Sequence, residues 1–206
     1  MIDQKPTIIC LIGQTCSGKD TFAKLLNQKF DYNIICSYTT RPKRDSETDK
    51  VEHIFISEEE YNSHYKDLKK IAYTEINGYK YFVLFEDICS NKNDSFIYII
   101  DPKGYYELKE NYSTEFNIIL IHLYANKEIR KARYEKREYN TSIPFEDREK
   151  AEKEQFEEFE NRLYMSLTDY AGEYILEDNI QDMYNDYHMD YDMSINTSNI
   201  DINKLV

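Results

Sequence analysis

Residues 13–19, Gly-Gln-Thr-Cys-Ser-Gly-Lys, narrow what this chain can fold into more than any other feature. Two glycines five apart are followed at once by a lysine, and the Ile-rich run Thr7 to Ile12 leads straight into them. A short buried strand, a tight loop and a helix from Lys19 to Asn27 are expected, with Phe22, Ala23, Leu25 and Leu26 as the helix's apolar residues. That order is the phosphate-binding P-loop. The backbone N–H groups of Gly13, Gln14, Thr15, Cys16, Ser17 and Gly18 would wrap a nucleotide's phosphates, and Lys19 would reach the transferable end. The position after the lysine, where a hydroxyl normally holds Mg²⁺, carries Asp20, and Thr21 follows one residue late. A carboxylate is a hard oxygen ligand that could hold the ion directly or through water. It could equally repel a triphosphate.

The texture downstream is alternating. Short strands are expected at Ile34–Ser37, His53–Ser57, Ile71–Ile76 and Tyr79–Val83, the last two joined by an Asn77-Gly78 hairpin turn. Ser57 precedes Glu58-Glu-Glu60 as a helix N-cap. A strand Phe96–Ile100 ends at Asp101-Pro102, ahead of a helix Lys103–Asn111. Asn117–Leu123 reads as another buried strand, followed by a basic helix from Lys127 to about Arg137. From Asp147 a long helix places Phe156, Phe159, Leu163 and Leu167 on one face and Glu152, Lys153, Glu157 and Glu158 on a solvated one. Met193–Ile195 could return to the sheet. Strands alternating with helices imply an α/β fold with a parallel sheet, its phosphate site at the first strand-to-helix turn.

Charge excludes some partners. With 39 acidic against 26 basic side chains the net charge is −13, which disfavours duplex nucleic acid and anionic membrane surfaces. The four cysteines have no paired spacing, which points to a reducing compartment. The first residues lack the apolar stretch of a signal peptide, and no run of 18 apolar residues could span a bilayer. A cytoplasmic protein of one domain, 1–206, is expected. Oligomeric state has no signature in the sequence.

The cations that remain are concentrated. Ser37-Tyr-Thr-Thr-Arg-Pro-Lys-Arg44 gathers Arg41, Lys43 and Arg44, with hydroxyls at Ser37, Thr39 and Thr40, a donor set suited to phosphate. Followed by Glu47 and by His53-Ile-Phe-Ile-Ser57 before an acidic helix, this segment resembles the guanylate kinase signature. The resemblance implies a P-loop NTPase three-layer fold with a parallel sheet. It implies a core at 1–37 and 84–206, a small β-rich acceptor-binding sub-domain at about 38–83, and a lid at about 133–148. It further implies that Ser37, Arg41 and Arg44 gather the acceptor GMP, with His53 at a family tyrosine position and Tyr81 as a second phosphate contact. Asp101 looks like the acidic residue near the metal and the substrate sugar.

Arg133 and Arg137, four apart on one helical face, and Arg148 resemble the lid arginines of nucleoside monophosphate kinases, which close over the transferring phosphoryl group. Arg130 reads as an ordinary surface arginine. Tyr191–Asn196 resembles the family's last strand, whose asparagine, here Asn196, lies by the adenine of ATP.

Several positions depart from that pattern. The glutamate that reads guanine's N1 and N2 hydrogens falls at Ala72, unless a local shift brings Glu75 into the role, and a hydroxyl residue falls at Val83. The stretch 161–186 reads as inserted, and the closing helix is short at Val206. The function implied is transfer from ATP, with Mg²⁺, to a nucleoside monophosphate, GMP or dGMP. Alternatives stay open. The Gly-Lys-Asp ending resembles the loop of ribose 1,5-bisphosphate phosphokinases and phosphomevalonate kinases, which act on other small phosphorylated acceptors. A non-catalytic guanylate-kinase-like binding module is opposed by the presence of Lys19, Arg133, Arg137 and Arg148.

Overall fold

The structure is a computed structural model that describes residues 5–44, 47–51, 53–76, 78–89, 95–136, 143–171 and 193–198. Asn77 of the expected hairpin turn and the lid residue Arg137 lie outside the described residues, as does most of the stretch expected to be inserted. Two compact units are present: Met1–Cys10 with Leu26–Ile118, and Leu11–Leu25 with Ile119–Val206. Strand β1 (Thr7–Ile12) and helix α1 (Lys19–Phe30) are each shared between the two.

In the first unit, β2 (Asn33–Ile34) pairs in parallel with β7 (Ser95–Ile99), and the opening of β1 flanks the far side of β7. The run Ile34–Ser37, expected as one strand, divides. Ile35 N–H donates to Ile97 O, but Ser37 O already accepts from Ile54 N–H, so the chain changes partner and continues as β3 (Tyr38–Thr39). The second sheet has the order β4-β3-β6-β5, with β4 at Ile54–Phe55, β5 at Lys70–Ile76 and β6 at Tyr79–Leu84. β3 is antiparallel to β6 and parallel to β4.

This sheet's core is aromatic. Phe82, fully buried, stacks on Tyr38 at 5.2 Å and meets the edge of Tyr61 at 5.6 Å, with Ile56 beside them. Tyr61 is delivered by a defined helix start. Ser57 Oγ accepts from Glu60 N–H at 3.0 Å while Glu60 Oε2 accepts from Ser57 N–H at 2.7 Å, the reciprocal capping box expected of Ser-x-x-Glu. The short helix α2 (Glu58–Glu60) then widens into a π-helical turn, Tyr61–Tyr65. A helix α3 (Phe85–Cys89) and then β7 follow, and Asp101 caps α4 (Pro102–Tyr112), whose first residue is a proline with no N–H to lose.

In the second unit, β8 (Asn117–Tyr124) lies between the end of β1 and β9 (Met193–Asn196), so the last strand does return to the sheet. β8 and β9 are parallel, with Ile121 opposite Met193 and Tyr124 opposite Asn196. α5 (Lys127–Glu135) and α6 (Phe145–Ala171) complete the unit. Arg130 corrects its sequence reading as a surface residue. It is 4% exposed, donates from Nε to Ala125 O at 3.1 Å and from Nη2 to Glu149 Oε1 at 2.9 Å, and lies over the Phe145 ring. Its guanidinium therefore ties α5 to α6, with the Glu149 carboxylate supplying the counter-charge that a buried cation requires.

Candidate functional site

The loop after β1 is built by close approach and reversed backbone turns. A Cβ added to Gly13 would lie 2.1 Å from Leu123 O, so β8 leaves room there only for glycine. Cys16 (φ 63) and Gly18 (φ 101) adopt left-handed conformations, and Ser17 N–H closes a turn on Gln14 O at 3.1 Å. Such reversals aim successive N–H groups at one concave side, a donor set that fits phosphate oxygens. Lys19 Nζ curls over the loop, donating to Gly13 O at 2.6 Å and Gln14 O at 3.1 Å. Asp20 and Thr21 are exposed in the first turn of α1. The Asp20 carboxylate there has the chemistry to take Mg²⁺. Among the described residues, no group of three His, Cys, Asp or Glu side chains could hold a metal ion.

Thr197, which the sequence did not single out, braces this loop together with Arg133 and Glu152. Thr197, fully buried just beyond β9, donates its hydroxyl to Ser17 O at 2.8 Å. Arg133 donates from Nη1 to Thr197 Oγ1 (2.9 Å) and to Cys16 O (3.2 Å), and from Nη2 to Thr197 O. Arg133 thus grips the loop's backbone. Glu152 corrects its assignment to a solvated face: its carboxylate accepts the N–H of Thr15 at 2.8 Å and also the Thr15 hydroxyl, which in turn accepts from Arg148 Nε at 3.2 Å. The i, i+4 spacing of Arg148 and Glu152 was a visible signal for this pair, though not for its target.

His122 of β8 is buried in the same unit, with its ring edge-on to Phe159. Burial, helped by the Lys19 charge, pushes its imidazole down to about 4. Between its ordinary 6.5 and that value the unfolded chain takes up a proton that the native state refuses, so stability rises with pH. Acidification across that window is expected to remove about 3 kcal/mol. Urea midpoints at several pH values should show this loss, and His122→Gln should flatten it.

The first unit holds the basic segment expected to contact an acceptor phosphate. Ser37 Oγ and His53 Nδ1 are 2.9 Å apart, and the His53 ring meets Tyr81 edge-on at 5.8 Å. Burial and the Arg41 charge hold the His53 imidazole below its ordinary range. Arg41 forms a two-point pair with Glu47, Nη2 to Oε1 at 2.8 Å and Nη1 to Oε2 at 2.9 Å, and sits over the Phe55 ring. Glu47 also accepts the Arg44 N–H at 2.9 Å. Burial opposes its ionisation, but the Arg41 and Arg44 bonds outweigh that and hold its carboxyl below the ordinary range. The Arg44 side chain remains 41% exposed beside it.

The strand opposite contains a register shift. Ala72 is buried with φ 52, and pairing between β5 and β6 slips between Ile71 and Thr74. Glu107 of α4 takes the Ala72 and Tyr73 N–H groups, and its burial raises its carboxyl above the ordinary range. The shift turns the buried Thr74, which the sequence reading missed, toward Asp101, whose Oδ2 accepts from Thr74 Oγ1 at 3.2 Å. The other Asp101 oxygen accepts Gly104 N–H at 3.0 Å as the cap of α4. Glu75 is left exposed, bonded to Tyr73 and opposite Lys80. Val83 is buried.

Comparison with known proteins gives a consistent result. The family model described as guanylate kinase matches residues 4–186. The guanylate kinase of Clostridium acetobutylicum is 25% identical over 122 residues, which cover 58% of this chain and 58% of that protein. That of Fusobacterium nucleatum is 28% identical over 118 residues, covering 56% and 63%. The chain thus spans about three fifths of the length of these curated relatives. Among solved structures, the guanylate kinase of Anaplasma phagocytophilum superposes with a TM-score of 0.59 at 18% identity, covering 97% of this chain and 79% of that one, which establishes a shared fold.

Proposed function

Because this chain belongs to the guanylate kinase family, we propose that it transfers the terminal phosphoryl group of ATP to a nucleoside monophosphate, with GMP or dGMP the preferred acceptor. The observation that carries this reading is the loop itself: left-handed Cys16 and Gly18 beside Lys19, with Arg133 and Arg148 already engaged on it. In this reading Gly13 to Thr21 hold the donor's phosphates, and Asn196 lies by its adenine. Lys19 stabilises the charge that spreads over the transferring group, joined by Arg133, Arg137 and Arg148. Mg²⁺, held by Asp20 and the nucleotide, would supply further neutralisation of that charge. Ser37, Arg41, Arg44, His53 and Tyr81 bind the acceptor's phosphate, with Asp101 on its sugar. The functional division follows a core at 1–37 and 84–206, an acceptor region at about 38–83 and a lid at about 133–148. No helix among the described residues is long and apolar enough to cross a membrane; the proposed substrates are small-molecule nucleotides of the cytoplasm.

One observation favours a second reading. Ala72 and Val83 are both buried and apolar, while Thr74 faces Asp101, so the acceptor's base would meet few polar groups on this strand pair. An acceptor lacking a base, such as a ribose phosphate, needs no such contacts. Acceptor assays with ATP separate the two: phosphorylation of a ribose phosphate with no turnover of GMP would favour the second. Asp20→Ser tests the metal assignment, with an expected rise of about tenfold in the Mg²⁺ concentration needed for half-maximal rate. An unchanged Mg²⁺ dependence would remove Asp20 from the metal site.

A further inference from the structure

Two hydrogen-bond donors and a nearby guanidinium gather around one carboxylate at the rim of the loop. Thr15 gives Glu152 its backbone N–H at 2.8 Å together with its hydroxyl. Arg148, one helical turn earlier on α6, reaches Thr15 Oγ1 at 3.2 Å and stands 3.8 Å from Glu152 Oε1. A loop N–H, a hydroxyl and a guanidinium are the groups that bind phosphoryl oxygens. Here the protein's own anion sits on them. The Glu152 side chain is only 23% exposed, so its contacts are partly shielded from water.

We propose that Glu152 is an internal competitor for the donor's terminal phosphate, occupying that phosphate's place on Thr15 and Arg148 until nucleotide displaces it. The proposal rests on the reading of the loop as an ATP site and adds its regulation. A carboxylate satisfies the rim donors and keeps Thr15 and Arg148 organised while the loop is empty of nucleotide. An incoming phosphate must break charge-assisted hydrogen bonds and drive one anion away from another, which weakens its binding. The handicap falls on the terminal phosphate of a triphosphate and spares a diphosphate, whose phosphates reach less far along the loop. Glu152 therefore lowers the preference of the empty site for ATP over ADP.

The test is calorimetric titration of the full chain, its Glu152→Gln variant and its Glu152→Ala variant with ATP and with ADP, Mg²⁺ present throughout. Gln keeps the shape and removes the charge, so it guards against a folding defect in the Ala variant. Both variants are expected to bind ATP about tenfold more tightly than the parent, with ADP affinity changed less than about twofold. If the parent binds ATP and the Gln variant binds it equally or more weakly, Glu152 is a brace and the competitor role is overturned. If neither parent nor variants bind ATP, the donor-site reading itself falls, and this proposal with it.

Discussion

Lys19→Met is expected to lower kcat for phosphoryl transfer by a thousandfold or more while leaving the fold intact, a loss of about 4 kcal/mol of transition-state stabilisation. The Nζ group lies within 3.1 Å of two loop carbonyls, Gly13 O and Gln14 O, so the cation is held over the loop by the backbone that would hold the phosphates. Methionine keeps the stem's length and apolar packing and removes only the charge and its donors. In a reaction whose catalysis is positioning plus neutralisation of charge on equatorial oxygens, Lys19 is the cation carried by the loop itself, whereas Arg133 and Arg148 reach the loop from other elements. Coupled-assay kinetics beside a thermal melt would check the pair of statements. A variant that melts like the parent and turns over within tenfold of it would remove Lys19 from the catalytic machinery.

Gly13→Ala should fail for a steric reason and more globally. The new Cβ would sit 2.1 Å from Leu123 O and 2.5 Å from Ser17 Oγ. The nearer atom is backbone in β8, not the end of a flexible side chain, so either the loop or the strand must move by more than an ångström. A destabilisation of about 3 kcal/mol and the loss of ATP binding are expected. Gly78→Ala is the contrast. Its φ of +80° strains any other residue, yet a Cβ there meets nothing within 4 Å. It should cost about 1 kcal/mol and leave ATP binding unchanged. Urea denaturation with a calorimetric ATP titration on both variants distinguishes a steric requirement at Gly13 from a general glycine effect.

Local patterns carried the fold well. The apolar run before Gly13, the alternation of strands and helices, and the Ser57 capping box all express interactions between near neighbours, which spacing records. Interactions across long sequence distances left no such mark. Glu152 stands among charges whose period suits a solvated face, and its partner Thr15 is 137 residues away. Arg130 looks like any helix-surface cation until Ala125 and Glu149 close around it. Thr197 braces the loop through Ser17 O across 180 residues. The register of β5 against β6 is hidden from the sequence for a different reason. A non-glycine residue at φ 52, Ala72, shifts the register, so alternation counted from Ile71 places the wrong side chain opposite Tyr81. Likewise Ile34–Ser37 is uniformly strand-like, and nothing local shows that its hydrogen-bond partner changes midway.

The central claim is that this loop and this basic segment serve one reaction, phosphoryl transfer from ATP to a nucleoside monophosphate. Its most direct test is the purified protein incubated with ATP, Mg²⁺ and each ribo- and deoxyribonucleoside monophosphate in turn, with nucleoside diphosphate products resolved by chromatography. ADP should appear together with GDP or dGDP, at rates well above those with other bases. The absence of diphosphate from every acceptor, in protein that binds ATP, would contradict the claim.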